Sequence, residues 1–223
     1  MQSIVLLHGA LGSDRQLEPL KNHLAKKFDV HLLCFEGHGV RNSDRPLAIQ
    51  YFSENLSSFL DENNLKNPLV FGYSMGGYVA LYNEAQSPGT FSKIVTLGTK
   101  FNWTPDVAAR EVRMLNPEII EEKVPKFAAH LSRMHAPNDW KENMRNTAMM
   151  MEAMGEKPPL NEVDLSSVNC PVHLLVGEKD TMVSEAETLV IKEQLSDVQF
   201  DTLEGVEHPI EKLELGKLEI YLR

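Results

Sequence analysis

Short apolar runs alternate along the chain with longer stretches in which apolar residues recur at helical spacing. The runs fall at residues 3–8 (SIVLLH), 30–35 (VHLLCF), 69–73 (LVFGY), 93–98 (KIVTLG), 172–177 (VHLLVG) and 198–203 (VQFDTL). They are apolar throughout instead of alternating, which predicts strands covered on both faces. Helical patterns occupy residues 14–27, 48–63, 76–85, 185–195 and 210–222. Ser13 followed by Gln16 reads as a capping box at the start of the first. This alternation predicts right-handed crossovers and a mostly parallel sheet flanked by helices, an α/β fold.

Residues 101–159 break the rhythm. The segment is helical in pattern, punctuated by Pro105, Pro117, Pro125 and Pro137, and holds no convincing strand. Both tryptophans and seven of the ten methionines lie within it. It reads as a helical insertion between the fourth and fifth strands, closed by Pro158 and Pro159, so that residues 1–100 and 160–223 form the core.

The 223 residues suffice for one domain with a full core. A net charge of −10 argues against a nucleic-acid or anionic-membrane surface, which needs clustered Lys and Arg. No run approaches the roughly 18 apolar residues of a membrane span, and the N-terminus carries no basic, signal-like region. Cys34 and Cys170 sit in or beside apolar runs and read as buried thiols, too few for a disulfide framework or a zinc site. His23, His31, His130, His135 and His173 are scattered and form no metal set. The expectation is a cytoplasmic protein with a small-molecule partner and no metal or cofactor. Nothing in the sequence specifies an oligomeric state.

The sharpest chemical signal is Gly72-Tyr73-Ser74-Met75-Gly76. It fits G-x-S-x-G with a strand before and a helix after, the setting of a nucleophile elbow. So sharp a turn strains the serine backbone and crowds the positions two before and two after it. Glycine at 72 and 76 removes the side chains that would collide. The Ser74 hydroxyl is then held clear of the sheet at a helix N-terminus, where unpaired N–H groups favour developing negative charge. Gly77 lets the helix pack close to the strand. A serine nucleophile generates an oxyanion that needs two waiting donors. Met75 N–H supplies one; His8-Gly9-Ala10-Leu11-Gly12, after the first strand, supplies the other through Ala10, with Leu11 as the alternative. His8 reads as structural, as does His38 in Gly37-His38-Gly39.

Gly177-Glu178-Lys179-Asp180 follows the fifth strand, and an acid there lies on the ligand face of a parallel sheet. Asp180 is the candidate for orienting a catalytic histidine, with Glu178 as its local rival. His208, in Gly205-Val206-Glu207-His208-Pro209, lies on a loop without apolar periodicity. The chain order Ser74, Asp180, His208 is the order expected of an elbow-type site. Tyr73, Trp103 and Met149 are the candidate pocket residues. Arg110, Arg113, Arg133 and Arg145 read as solvated helix charges that an acidic substrate could also meet.

Taken together, HGALG, GHG, GYSMGG, GEKD and GVEHP resemble the α/β-hydrolase superfamily, over nearly the whole chain outside the insertion. The resemblance implies about six parallel strands, without the first two strands of larger members. It places the residue 3–8 strand beside the residue 69–73 strand, with the chain winding outward from there. It also implies that residues 101–159 cap the active site. The expected activity is serine hydrolysis, foremost of a carboxylic ester with a small or medium apolar acyl group. The SMGG elbow also resembles the family's menaquinone-pathway enzyme, 2-succinyl-6-hydroxy-2,4-cyclohexadiene-1-carboxylate synthase. That elbow commonly continues with arginine, where this chain has Tyr78. A lyase or carbon–carbon bond hydrolase on the same three residues is the second reading, and a non-catalytic small-molecule-binding protein the third.

Overall fold

The structure, a computed structural model, describes residues 1–223. Six parallel strands form one sheet: β1 (Gln2–Leu7), β2 (Phe28–Leu33), β3 (Leu69–Tyr73), β4 (Lys93–Leu97), β5 (Val172–Gly177) and β6 (Val198–Leu203). Their order is β2-β1-β3-β4-β5-β6. β1 therefore pairs with both β2 and β3, the second as the family resemblance implies, and the winding reverses between β1 and β3. In open α/β sheets, ligands bind outside the strand ends at such a reversal.

The central strands are buried on both faces because helices cover each. Val5, Leu7, Val70, Ile94 and Leu174 point into one apolar cluster. The alternate residues Ile4, Leu6, Phe71, Val95 and Leu175 point into the other, as the two-residue period of a strand requires. The edge strand β6 departs from the uniformly apolar expectation: Gln199 and Asp201 are exposed between half-buried neighbours. Only one side of an edge strand has a neighbour, and here the sequence VQFDTL alternates accordingly.

The helices are α1 (Glu18–Leu24), α2 (Ile49–Glu62), α3 (Met75–Gln86), α4 (Pro105–Val112), α5 (Pro117–Lys123), α6 (Pro125–His135), α7 (Trp140–Glu156), α8 (Glu185–Lys192) and α9 (Leu215–Glu219). Two expected helices are shorter than their patterns. Residues 14–27 divide into a 3-10 turn, Asp14–Leu17, and α1, with Pro19 in the first turn of α1. The Ser13–Gln16 capping box does not form: Ser13 Oγ accepts from Arg15 N–H, and the Gln16 amide donates to Glu211. A capping box does open α8, between Ser184 and Glu187. Residues 210–222 likewise divide, because Leu213 is extended (φ −70°, ψ 129°) and buried between a 3-10 turn and α9.

Between β4 and β5 the chain forms α4 to α7 and no strand. Pro105, Pro117 and Pro125 each occupy a first helical position, where the missing N–H costs nothing. Ala128, Leu131, Trp140 and Met144 form a cluster of their own, while Met150 and Met154 of α7 join the main core. Polar ties anchor this segment to loops of the sheet. Asn143 Nδ2 donates to Gly37 O (2.7 Å), Asn138 Nδ2 to Gly39 O (3.1 Å) and His135 Nε2 to Leu11 O (3.0 Å), while His135 Nδ1 accepts from Gly39 N–H. No helix is long and apolar enough to cross a membrane.

Candidate active site

Ser74 joins β3 to α3 with φ 51° and ψ −115°, a region L-residues rarely occupy. Three bonds hold it there: Ser74 N–H donates to Leu97 O (2.8 Å), while Ser74 O accepts from Gly77 N–H (3.1 Å) and Thr99 Oγ1 (2.9 Å). The glycines clear three different neighbours. A Cβ on Gly72 would lie 2.3 Å from Gly77 N, one on Gly76 would lie 2.4 Å from Leu7 O in β1, and one on Gly77 would lie 2.2 Å from Thr99 Oγ1. Gly76 thus makes room for the neighbouring strand, not for Gly72.

Asp180 and His208 come from the loops after β5 and β6 and meet at the sheet's C-terminal edge. His208 Nδ1 lies 2.7 Å from Asp180 Oδ2, and both side chains are buried, at 10% and 1% exposure. Asp180 Oδ1 accepts from Met182 N–H (2.8 Å) and Val183 N–H (2.9 Å). The carboxylate can only accept, so the imidazole proton sits on Nδ1 and Nε2 is left as an acceptor. Glu178, the rival acid, instead accepts from Gly205 N–H at 2.8 Å and braces the turn before His208. Tyr73 Oη donates to His208 O (3.1 Å), and burial raises its phenol pKa.

Two residues that sequence reasoning missed also shape this corner. Gly98, at φ 60°, has its Cα where a Cβ would lie 3.1 Å from Asp180 Oδ2 and 3.2 Å from the His208 ring. Thr99 fixes the Ser74 carbonyl. The signal was the glycine ending the fourth apolar run, in a position equivalent to Gly177.

Ala10 and Leu11 follow β1, and Leu11 has φ 57°. The N–H groups of Ala10, Leu11 and Met75 donate to no other group of the chain. His8 supports this loop from beneath: its Nδ1 donates to Gly9 O (2.8 Å) and its Nε2 accepts from Phe35 N–H (3.1 Å). Burial pushes its pKa down to about 4, so it is neutral. His38 is buried nearby, its ring centre 5.0 Å from that of His8, and lines neither cavity at Ser74.

Two cavities meet at Ser74 and Ala10. One, of about 620 Å³, is lined by Tyr73, His208 and the apolar side chains of Leu115, Phe127, Met134 and Met144 among others. The second, of about 40 Å³, is lined by Met75, Tyr78, Trp103, Met150 and Met154 among others. Met151 borders both. Met149, the methionine singled out from sequence, is 54% exposed and lines neither, because α7 turns its neighbours 150, 151 and 154 toward the site instead. Of the four arginines, only Arg110 lines either of these two cavities; Arg145 pairs with Glu118.

A sequence profile of the alpha/beta hydrolase fold matches residues 2–210. An uncharacterized hydrolase of Bacillus subtilis (strain 168), YugF, is 23% identical over 213 residues, covering 93% of this chain and 70% of that one. Ethanol acetyltransferase 1 of Hanseniaspora uvarum is 28% identical over 100 residues, 43% of this chain and 29% of that protein. The chain thus aligns with under a third of that acetyltransferase's length. Among solved structures, a thermophilic esterase from Thermogutta terrifontis superposes with a TM-score of 0.77 at 17% identity, covering 99% of this chain and 88% of that one. At that identity the likeness is one of fold. With the profile spanning almost the entire sheet and its helices, the chain belongs to the α/β hydrolase family, among esterase- and lipase-like relatives.

Proposed function

We propose that the chain is a serine hydrolase that cleaves carboxylic esters of small or medium apolar acyl groups. The observation that carries this reading is the buried His208–Asp180 pair, whose imidazole opens onto the same cavity as the strained Ser74. His208 Nε2 takes the Ser74 proton as Oγ attacks the carbonyl carbon. Asp180 holds the tautomer and stabilises the imidazolium. Met75 and Ala10, with Leu11 as the alternative second donor, present N–H groups to the oxyanion. The leaving alcohol takes the proton from His208, and water then releases the acid from Ser74. On this reading α4 to α7 cap the site, Tyr73 positions the His208 loop, and Trp103 borders the acyl side.

Two cations line the cavities, Lys100 the small one and Arg110 the large one, but Lys100 Nζ is already engaged by Met182 O and Glu111, which supports an ester over the acidic substrate of a lyase. Tyr78 stands where the resemblance would put an arginine, and it is buried with its hydroxyl accepting from Leu160 N–H. The match to an alcohol acetyltransferase supports one variation: an alcohol in place of water would accept the same acyl group.

Turnover of p-nitrophenyl esters by the wild type and Ser74→Ala, side by side, tests the proposal. Turnover by the wild type alone is expected. Equal activity of both would exclude Ser74 as nucleophile. Adding ethanol separates hydrolysis from transfer through the ratio of acid to ethyl ester formed.

A further inference from the structure

Resting on the serine-hydrolase reading, we propose that the two cavities divide one ester between them. The small pocket takes an acyl chain of about two or three carbons, and the large cavity takes a bulky apolar alcohol portion. Ser74 and Ala10 border both spaces, so the carbonyl carbon and its oxyanion sit at their junction. Two substituents of that carbon remain to be placed. The alkoxy oxygen must lie within reach of His208, which returns to it the proton taken from Ser74. His208 lines the large cavity and not the small one. The alkoxy group therefore points into the large cavity, and the acyl chain is left with the small pocket.

Size then sets specificity. A cavity of about 150 Å³ holds the six carbons of benzene, roughly 25 Å³ for each, so 40 Å³ holds one or two carbons beyond the carbonyl carbon, an acetyl or propionyl chain. Its walls resist expansion. Met75, Tyr78, Trp103, Met150 and Met154 all belong to the main apolar cluster. Tyr78 is tied to Leu160 N–H, and Trp103 Nε1 donates to Lys100 O (3.1 Å). Enlarging a close-packed wall requires shifts that cost energy. The large cavity differs: its wall includes Met114 at 71% and Phe127 at 39% exposure. The bonds balance as in any ester cleavage. The Ser74 Oγ–carbon bond forms, the carbon–alkoxy bond breaks, the alcohol departs with the His208 proton, and water releases the short acid.

The test is kcat/KM across p-nitrophenyl acetate, butyrate, hexanoate and octanoate, then across ethyl and 2-phenylethyl acetate, whose alcohols are similarly acidic. The expected profile peaks at acetate, is lower at butyrate and falls by about tenfold or more at hexanoate. 2-Phenylethyl acetate should exceed ethyl acetate by about tenfold or more. Trp103→Leu and Met154→Ala, each opening the small pocket, should both move the acyl optimum to butyrate or beyond; two variants are used because one could fail to fold. Ser74-dependent turnover that peaks at hexanoate or octanoate in the wild type, or folded variants whose acyl profile matches the wild type, would overturn the assignment while leaving the hydrolase reading intact. No Ser74-dependent turnover of any ester removes the hydrolase reading, and this assignment with it.

Discussion

His208 Nδ1 lies 2.7 Å from Asp180 Oδ2, while the other oxygen of the same carboxylate accepts the N–H groups of Met182 and Val183. Each oxygen is thus committed, and an amide cannot replace both. In Asp180→Asn the amide oxygen must keep facing the two N–H groups, which turns the NH₂ toward Nδ1. The imidazole proton then moves to Nε2, where the Ser74 proton should be accepted. The expected result is a loss of roughly 10³- to 10⁴-fold in kcat with the fold retained, read by kinetics beside circular dichroism. A loss of only a few-fold would show that Asp180 does not set the tautomer.

Lys100 holds the loop that carries Asp180. Its Nζ donates to Met182 O (2.6 Å) and lies 3.3 Å from Glu111 and 3.8 Å from Glu187. Lys100→Met should lower kcat severalfold through loosening of residues 180–183. It should also destabilise the protein by about 1–3 kcal/mol, because a half-buried Glu111 loses its partner. Urea unfolding and ester kinetics on one preparation check both effects.

Three glycines at the elbow should tolerate no side chain, whereas one elsewhere should welcome it. Gly77→Ala places a Cβ 2.2 Å from Thr99 Oγ1 and should cost about 2 kcal/mol or more. Gly216 lies in α9 with nothing near its missing Cβ. Gly216→Ala should stabilise by about 0.5–1 kcal/mol. Thermal or urea midpoints that rank the two variants in the reverse order would refute the packing account.

Acid should weaken the fold through buried neutral histidines. Burial pushes the His8 pKa from its ordinary 6.5 to about 4. Burial shifts His38 and His135 in the same direction. Between those pH values the unfolded chain binds protons that the folded chain does not. The stability His8 allows is therefore fully present above pH 6.5 and is lost as pH falls toward 4, by about 3 kcal/mol in full. Urea midpoints that stay level from pH 7.5 to 5 would count against this.

Much of the sheet was legible because its central strands obey one rule: a strand covered on both faces is apolar at every position. The rule fails at β6, where a free edge lets Gln199 and Asp201 face water. The loops bearing Ser74, Asp180 and His208 were legible because glycine and acid punctuation marks the C-terminal ends of β3, β5 and β6. Other features depend on how elements meet. Whether Met149 or Met151 faces the site is set by the rotation of α7, which a run of three consecutive methionines does not encode. The clash that requires Gly76 is with Leu7 of β1, a residue 69 positions away in sequence (76 − 7). Gln16 follows the capping-box spacing, yet Glu211 claims its amide from across the fold.

On the proposed mechanism Ser74 is the nucleophile and His208 activates it. The most direct measurement is labelling with a fluorophosphonate, followed by mass spectrometry of the peptide containing residues 68–85. One adduct per chain is expected, on Ser74, formed by the wild type and at least about 10³-fold more slowly by His208→Ala. An adduct on another serine, or labelling of Ser74 at the same rate in both proteins, would contradict it.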